Sequence, residues 1–220
     1  MVRPVVVAGA TGYIGRQVVR ELVSRGVPCV ALVRTAELSS KTAECLQGAQ
    51  LLRCNVLDAA ELQQAYAQIQ PLATICCLAS RSGVKSDAWE VDYGGGKNAL
   101  RAQESGAECA RGHFVLLSAF CCGKPLLEFQ FAKIALEELI KASSVVSHSL
   151  VRPTAYFKSL DGQLESAKKG YPMLYFGSGS CSANAICEME LAQYLVDCAL
   201  RPAELGMLDG SRDIGGPDNP

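Results

Sequence analysis

An α/β fold built on a doubly wound parallel sheet follows from three features of the 220-residue sequence. Short, β-branched apolar runs recur at 4–8, 28–33, 49–54, 73–79, 113–118 and 146–152. Helix-like stretches separate them, and the connections are tight, which is the pattern of repeated strand–helix units. Runs so short and so continuously apolar suit strands covered on both faces. The composition agrees with one globular domain over residues 1–220: 49% is apolar, 20% is charged, and 21 Lys and Arg nearly balance 22 Asp and Glu. Wholesale disorder is excluded, and a net charge of −1 gives no general attraction to nucleic acid or to an anionic membrane. No apolar run approaches the roughly 18 residues of a spanning helix. Met1-Val2-Arg3-Pro4 leads straight into Val5-Val6-Val7 and does not resemble a targeting segment. The protein is therefore expected to act where it is made, or to have a leader outside this sequence.

The elements follow in order. A first helix over about 13–25 sets Ile14, Val18, Val19, Leu22 and Val23 on one stripe, and Gly26 stops it as a left-handed cap. Asp58, with Glu61 three residues on, gives a capping-box-like start to a helix over 59–69, which Pro71 ends. Residues 88–104 read as helical at both ends, yet Gly94-Gly95-Gly96 lies in the middle. Each glycine costs roughly 1 kcal/mol against alanine there. Such a helix needs something packed on its bare backbone, and a cofactor-side loop and a neighbouring helix both remain open. Leu126 to Ala142 predicts a strong helix, opened by Pro125 and rich in Leu, Glu, Lys and Ala. There is no internal repeat and no low-complexity linker.

Cysteine is abundant, at 11 residues, and the number is odd. Cys54, Cys76, Cys77, Cys121 and Cys122 lie within apolar runs, and a chain this long can build its core without staples. They read as reduced, buried small hydrophobes of a reducing compartment. There is no C-x-x-C, and the two histidines, His113 and His148, each directly precede a strand-like run and read as structural. No zinc or haem site is expected.

The informative stretch is Val5-Val6-Val7-Ala8-Gly9-Ala10-Thr11-Gly12-Tyr13-Ile14-Gly15. It reads as a strand, a glycine-rich turn, then a helix starting near Tyr13. Gly9 permits the tight turn, Gly12 lets a pyrophosphate approach the backbone, and Gly15 lets helix pack closely on strand. The helix N-terminus offers free N–H groups and a positive dipole end. A glycine motif alone is weak evidence, but this one follows a strand, opens an amphipathic helix and leads to a second strand. The expected fold is thus Rossmann-like and NAD(P)-binding, against the alternative of a structural turn. The second strand ends in Arg34, where an NAD-preferring site places Asp or Glu for the ribose 2′-OH. Arg34 can instead pair with a 2′-phosphate, and Arg16 adds a second contact, which favours NADPH over NADH. Two solvated surface arginines are the alternative. Asn55-Val56-Leu57-Asp58, after the third strand, is placed to touch adenine, and Asp58 serves equally as a helix cap.

At this point the chain resembles the atypical, extended-type short-chain dehydrogenase/reductases, with Gly-x-x-Gly-x-x-Gly in place of the commoner spacing. Further segments narrow the likeness to the divinyl chlorophyllide 8-vinyl reductase family. They are Cys77-Leu78-Ala79-Ser80-Arg81-Ser82-Gly83, Asp92-Tyr93 and His113-Phe114-Val115-Leu116-Leu117-Ser118-Ala119. Lys124-Pro125-Leu126-Leu127-Glu128-Phe129-Gln130 and Val151-Arg152-Pro153-Thr154-Ala155-Tyr156-Phe157-Lys158-Ser159-Leu160 complete the set, and are its most specific parts. The resemblance covers roughly residues 4–217. It implies NADPH-dependent reduction of the 8-vinyl group of a divinyl chlorophyll precursor to ethyl, in the chloroplast, on a pathway associated peripherally with membranes. It also implies that Ala79, Ser80, Ser118, Lys133 and Pro153 join the cofactor contacts. Relatives continue past Gly215-Gly216-Pro217-Asp218-Asn219-Pro220, so a substrate-side C-terminal portion is expected beyond these residues, as is a transit leader before them.

Reductases of this type usually pair a Tyr with a Lys four residues later, after the fifth strand. Here Lys133 is present, but the position four before it is Phe129, one helical turn away on the same face. Lys133 is a candidate to hold the nicotinamide ribose, against the alternative of a solvated helical lysine. Ser118 falls where the family's serine lies near the nicotinamide. The missing phenol suits an alkene better than a ketone, because carbonyl reduction develops charge on oxygen and benefits from a nearby acid. Hydride addition to a vinyl group spreads charge over the macrocycle, so orientation carries much of the catalysis. Water, Lys133 and Tyr156 all stand open as the proton source. Phe120, Phe129, Pro153, Thr154, Tyr156 and Phe157 should line an apolar cleft at the carboxyl ends of the strands. Trp89 could stack on a macrocycle, with ordinary packing as the alternative. Two other readings stay open: a cofactor-sensing regulator or assembly factor without turnover, and an NADPH reductase of a smaller aromatic alkene.

Overall fold

The computed structural model describes residues 3–35, 37–105, 112–172, 178 and 184–216. Seven parallel strands form one sheet: β1 (Val5–Ala8), β2 (Cys29–Val33), β3 (Gln50–Arg53), β4 (Ala73–Cys76), β5 (His113–Leu117), β6 (Ser147–Pro153) and β7 (Gly210–Ile214). Their order is β3-β2-β1-β4-β5-β6-β7, so the chain reverses its direction of travel between β1 and β4. That reversal opens a crevice at the carboxyl ends of these two strands. Alternate residues of each strand feed opposite cores. Val5, Val7, Ala31, Val33, Ile75, Val115 and Val151 pack under α1 (Gly15–Ser24), α2 (Ser40–Cys45) and α8 (Glu188–Leu200). Val6, Ala8, Val30, Leu32, Cys76, Leu116 and Leu150 pack under α3 (Ala59–Ile69), α5 (Gly96–Ser105) and α6 (Glu128–Lys141). The expected doubly wound α/β fold is the observed one. The edge strand β3 departs from it locally: Gln50, Leu51 and Arg53 are exposed, because no neighbour covers the sheet's end.

Several boundaries differ from the sequence expectation. Helix α1 begins at Gly15 rather than near Tyr13, because Gly12 donates to the Gly9 carbonyl and spends that segment on a turn. It closes as expected, with Gly26 at φ +67° and the Val27 N–H bonded to the Leu22 carbonyl. At the start of α3, Asp58 Oδ1 caps the N–H groups of Ala60 and Glu61. Glu61, however, reaches past the cap to accept from the Asn55 N–H. Helix α6 is not opened by Pro125; it starts at Glu128, and Gln130 Oε1 accepts from the N–H groups of Leu126 and Leu127.

A single α turn, α4 (Lys85–Asp87), precedes the glycine-interrupted stretch, which is a π-helical segment (Ala88–Gly95) running into α5. Both proposed neighbours are present. A Cβ on Gly95 would meet Leu78 and Val56 side chains at 3.1 and 3.3 Å, beside the loops after β4 and β3. A Cβ on Gly96 would stand 2.3 Å from Leu136 Cδ2 of α6.

Three elements have no counterpart in the sequence reading: α7 (Asp161–Lys168), α8, whose Leu191, Ala192, Leu195, Val196 and Cys198 are buried, and the polar edge strand β7. Cys54, Cys76, Cys77 and Cys122 are buried free thiols as expected, whereas Cys121 is exposed. Cys109 and Cys181 lie outside the described residues. Both histidines are inside strands rather than ahead of them. His113 joins β5 to β6 through the Ser147 and Ser149 hydroxyls, at 2.8 and 2.9 Å. His148 lies 3.3 Å from Asp209. No helix among the described residues is long and apolar enough to cross a membrane.

Candidate cofactor cradle and active site

The glycine-rich turn closes where β1 meets β4. Gly9 has φ +79°, and a Cβ there would stand 2.7 Å from the Cys77 carbonyl oxygen, so only glycine lets the two strand ends touch. A Cβ on Gly15 would lie 2.1 Å from the Gly9 carbonyl oxygen. The close approach at Gly15 is therefore helix against turn, not helix against strand. Ala10 and Ile14 are buried beneath the turn. The N–H groups of Tyr13, Ile14 and Gly15 make no backbone hydrogen bond to a described residue, which leaves a row of donors at a helix N-terminus. A diphosphate fits that donor set, and Gly12, whose Cβ would meet only the Gly9 carbonyl oxygen at 3.1 Å, leaves room for it.

Around the cradle, the Tyr13 ring lies 5.9 Å from the Tyr156 ring, 4.4 Å from Lys158 Nζ and 5.7 Å from Arg16 Cζ. Burial first, and a hydrogen bond with Glu188 second, push the Tyr13 phenol well above its ordinary pKa. Arg16 Nε is buried without a hydrogen-bond partner among the described residues. Arg34 is exposed just beyond β2. After β3, Asn98 Nδ2 donates to the Val56 and Leu57 carbonyls, at 3.1 and 3.2 Å, and fixes the loop that carries Asn55.

The ends of β4 and β5 hold a buried charge cluster. Lys133 is 6% exposed, which replaces the reading of a solvated helical lysine. Its Nζ donates to the carbonyls of Leu78 (3.2 Å) and Leu117 (3.3 Å) and pairs with Asp92 Oδ1 (3.1 Å). The other Asp92 oxygen accepts from the Ser80 N–H at 2.9 Å. Ser118 donates its hydroxyl proton to Glu137 Oε1 at 2.5 Å. Burial would raise the Glu137 carboxyl, but hydrogen bonds from the Arg152 guanidinium and Ser118 outweigh it and hold it below its usual pKa. Phe129, Lys133 and Glu137 succeed one another at one-turn intervals on α6.

Apolar side chains border this cluster. Phe120 and Phe157 are each 53% exposed and Leu126 is 87% exposed, while Phe129 and Tyr156 are half-buried. Pro153 ends β6, and Thr154 follows with its N–H on the Ile214 carbonyl and its hydroxyl buried and unpartnered. Ala79 is exposed and Ser80 half-buried beyond β4. Trp89 is fastened to α6, its Nε1 donating to Glu128 Oε2 at 3.0 Å.

A family profile described as NAD(P)H-binding matches residues 9–202. The chain belongs to that NAD(P)H-binding family. Among curated proteins it is 41% identical to the divinyl chlorophyllide a 8-vinyl-reductase, chloroplastic, of Oryza sativa subsp. indica, across 97% of this chain and 54% of that one. The protein of the same name from Cucumis sativus is 40% identical across 97% and 52%. The chain thus spans about half the length of the curated relatives it matches. Among solved structures, a UDP-glucose 4-epimerase from Thermotoga maritima superposes with TM-score 0.77 at 15% identity, over 96% of this chain and 76% of that one. The Bordetella bronchiseptica enzyme WbmH in complex with NAD+ gives 0.75 at 17%, over 98% and 76%. At such identities the structures speak to the fold alone.

In this NAD(P)H-binding chain, Gly9 to Arg16, Ser80, Ser118, Lys133, Pro153 and Tyr156 gather at the ends of β1, β4, β5 and β6. Arg34, Asn55 and Val56 stand apart, at the ends of β2 and β3, on the other arm of the crevice. Asp92, Glu137 and Arg152 were not singled out from sequence. Asp92 and Arg152 fall within the family-like segments, and the signal that could have found Glu137 is its one-turn spacing from Lys133.

Proposed function

We propose that the chain uses NADPH to reduce the 8-vinyl group of divinyl chlorophyllide to ethyl, in the chloroplast. The observation that carries this reading is about 40% identity to chloroplastic reductases of that name along 97% of the chain. In this reading residues 1–220 act as one cofactor-binding unit. The cofactor, when bound, supplies hydride from its dihydronicotinamide. Gly9, Ala10, Thr11, Gly12, Tyr13, Ile14 and Gly15 cradle its diphosphate, the last three with free N–H groups. Arg34 and Arg16 hold the 2′-phosphate, the feature that selects NADPH; the absence of Asp or Glu at the end of β2 supports it. Asn55 and Val56 border adenine, and Ala79, Ser80 and Pro153 border the nicotinamide half.

Lys133 brings its amine to the ends of β4 and β5, where the Leu78 and Leu117 carbonyls and the Asp92 ion pair hold it in place for the nicotinamide ribose. Ser118 is oriented by Glu137. Phe129 presents a ring where a carbonyl reductase presents a phenol, which suits an apolar alkene. Phe120, Thr154, Tyr156 and Phe157 offer the pigment a wall.

The test is spectroscopic. Purified chain with NADPH and divinyl chlorophyllide should shift the pigment's Soret band as vinyl becomes ethyl. NADPH binding without a spectral change would overturn the reading.

A further inference from the structure

We propose that the Tyr156 hydroxyl donates the proton that completes vinyl reduction, an inference that rests on the reductase reading above. Among the other hydroxyl and ammonium groups named at these strand ends, Lys133 and Ser118 are held by partners, and the Thr154 hydroxyl, which has no partner among the described residues, is an aliphatic alcohol and a far weaker acid than a phenol. Lys133 Nζ donates to the Leu78 and Leu117 carbonyls and is ion-paired with Asp92 at 3.1 Å. Ser118 has one proton and gives it to Glu137, a carboxylate that Arg152 keeps ionised and acceptor-only. Burial and the neighbouring Glu188 raise the Tyr13 phenol and make it a poorer donor, and position 129 carries no hydroxyl. A proton from Lys133 or Ser118 must leave a buried hydrogen bond, at the desolvation cost of an orphaned partner.

Tyr156 differs. Its hydroxyl makes no hydrogen bond to another described residue, and its ring packs 5.9 Å from Tyr13 at the mouth of the cradle. Tyr156 follows β6, which lies beside β5, the strand after which Ser118 comes. Burial keeps the phenol protonated at neutral pH, as a proton donor must be.

The step balances simply. The terminal vinyl carbon accepts hydride from NADPH, which leaves as NADP+. The electron pair of the C=C bond passes to the inner carbon and the macrocycle. The inner carbon then takes the proton as the Tyr156 O–H bond breaks, and the phenolate recovers a proton from water.

Three arms test this on the full chain. Tyr156→Phe should lower kcat about 100-fold, the usual scale of a lost general acid, with the NADPH Kd within about twofold of wild type. An unchanged kcat in Tyr156→Phe overturns the proposal alone. A wild-type chain inactive on divinyl chlorophyllide overturns the reductase reading and the proposal with it. Independently of turnover and of any loss of fold, 3-fluorotyrosine at position 156 gives a 19F resonance that should move when NADP+ binds. A resonance that stays in place while NADP+ saturates the chain overturns the placement of the hydroxyl.

Discussion

Arg34 and Lys133 are both basic and both sit beyond strand ends, yet burial assigns them different work. Arg34 is exposed and free to meet a phosphate, so its effect belongs to the ligand. Arg34→Ser should raise the NADPH Kd about tenfold or more, the scale of one charge-assisted contact, and leave the NADH Kd nearly unchanged. Fluorescence titration with both nucleotides measures this, and equal losses would remove Arg34 from 2′-phosphate recognition. Lys133 instead balances a charge the fold has already buried. Lys133→Met strands Asp92 without its partner and should cost about 3–5 kcal/mol in urea unfolding. Adding Asp92→Asn should recover a good part of that loss, because the neutral amide needs no counter-charge. A double variant no more stable than the single one would show that the pair is not the source of the penalty.

At the scale of elements, the glycine run at 94–96 is where local propensity and tertiary packing conflict. Sequence marks the conflict, since three glycines weaken any helix, but it leaves the neighbour open. The structure resolves it with a π-helical segment that brings Gly95 against the β3 and β4 loops and Gly96 against α6. Leu136, the side chain Gly96 meets, is fully buried and has nowhere to swing. Gly96→Ala should therefore destabilise by about 1–3 kcal/mol, an overpacking cost. In a Leu136→Ala background the same change should cost far less. Equal costs in both backgrounds would mean the strain arises elsewhere. The π-helical segment also aims Asp92 at Lys133, so its register is tied directly to the site.

Across the whole molecule, His113 links stability to pH. It is buried between the Ser147 and Ser149 hydroxyls, and desolvation pushes its pKa down from 6.5 to about 4. Ser149 donates to the Met207 carbonyl, so the imidazole Nε2 is the donor in its bond to Ser149. Unfolding restores the ordinary pKa, and the unfolded chain then binds more protons between those two values. The contribution of His113 is full above about pH 6.5 and is lost as pH falls toward 4, up to about 3 kcal/mol. Urea midpoints at pH 7.5 and 5 should fall in that order, and His113→Gln should flatten the difference. His148, also shifted down by desolvation, acts with the same sign.

The amino-acid sequence by itself determined the strand–helix alternation, the doubly wound sheet, and the turn from Gly9 to Gly15. Each of these is written in neighbouring residues, as hydrophobic runs or as glycines at fixed spacing. The helix α8 was also present as an apolar stripe at Leu191, Leu195 and Cys198 and could have been read. Strand β7 could not, since Gly-Ser-Arg-Asp-Ile is polar and becomes a strand only when β6 offers its open edge. Only the tertiary structure decided that Lys133 is buried, that Ser118 is committed to Glu137, and that Tyr156 shares the cradle with Tyr13. Those facts depend on acceptors and rings contributed by segments tens of residues apart, and a carbonyl's availability as a partner is set by the fold, not by the residue that bears it.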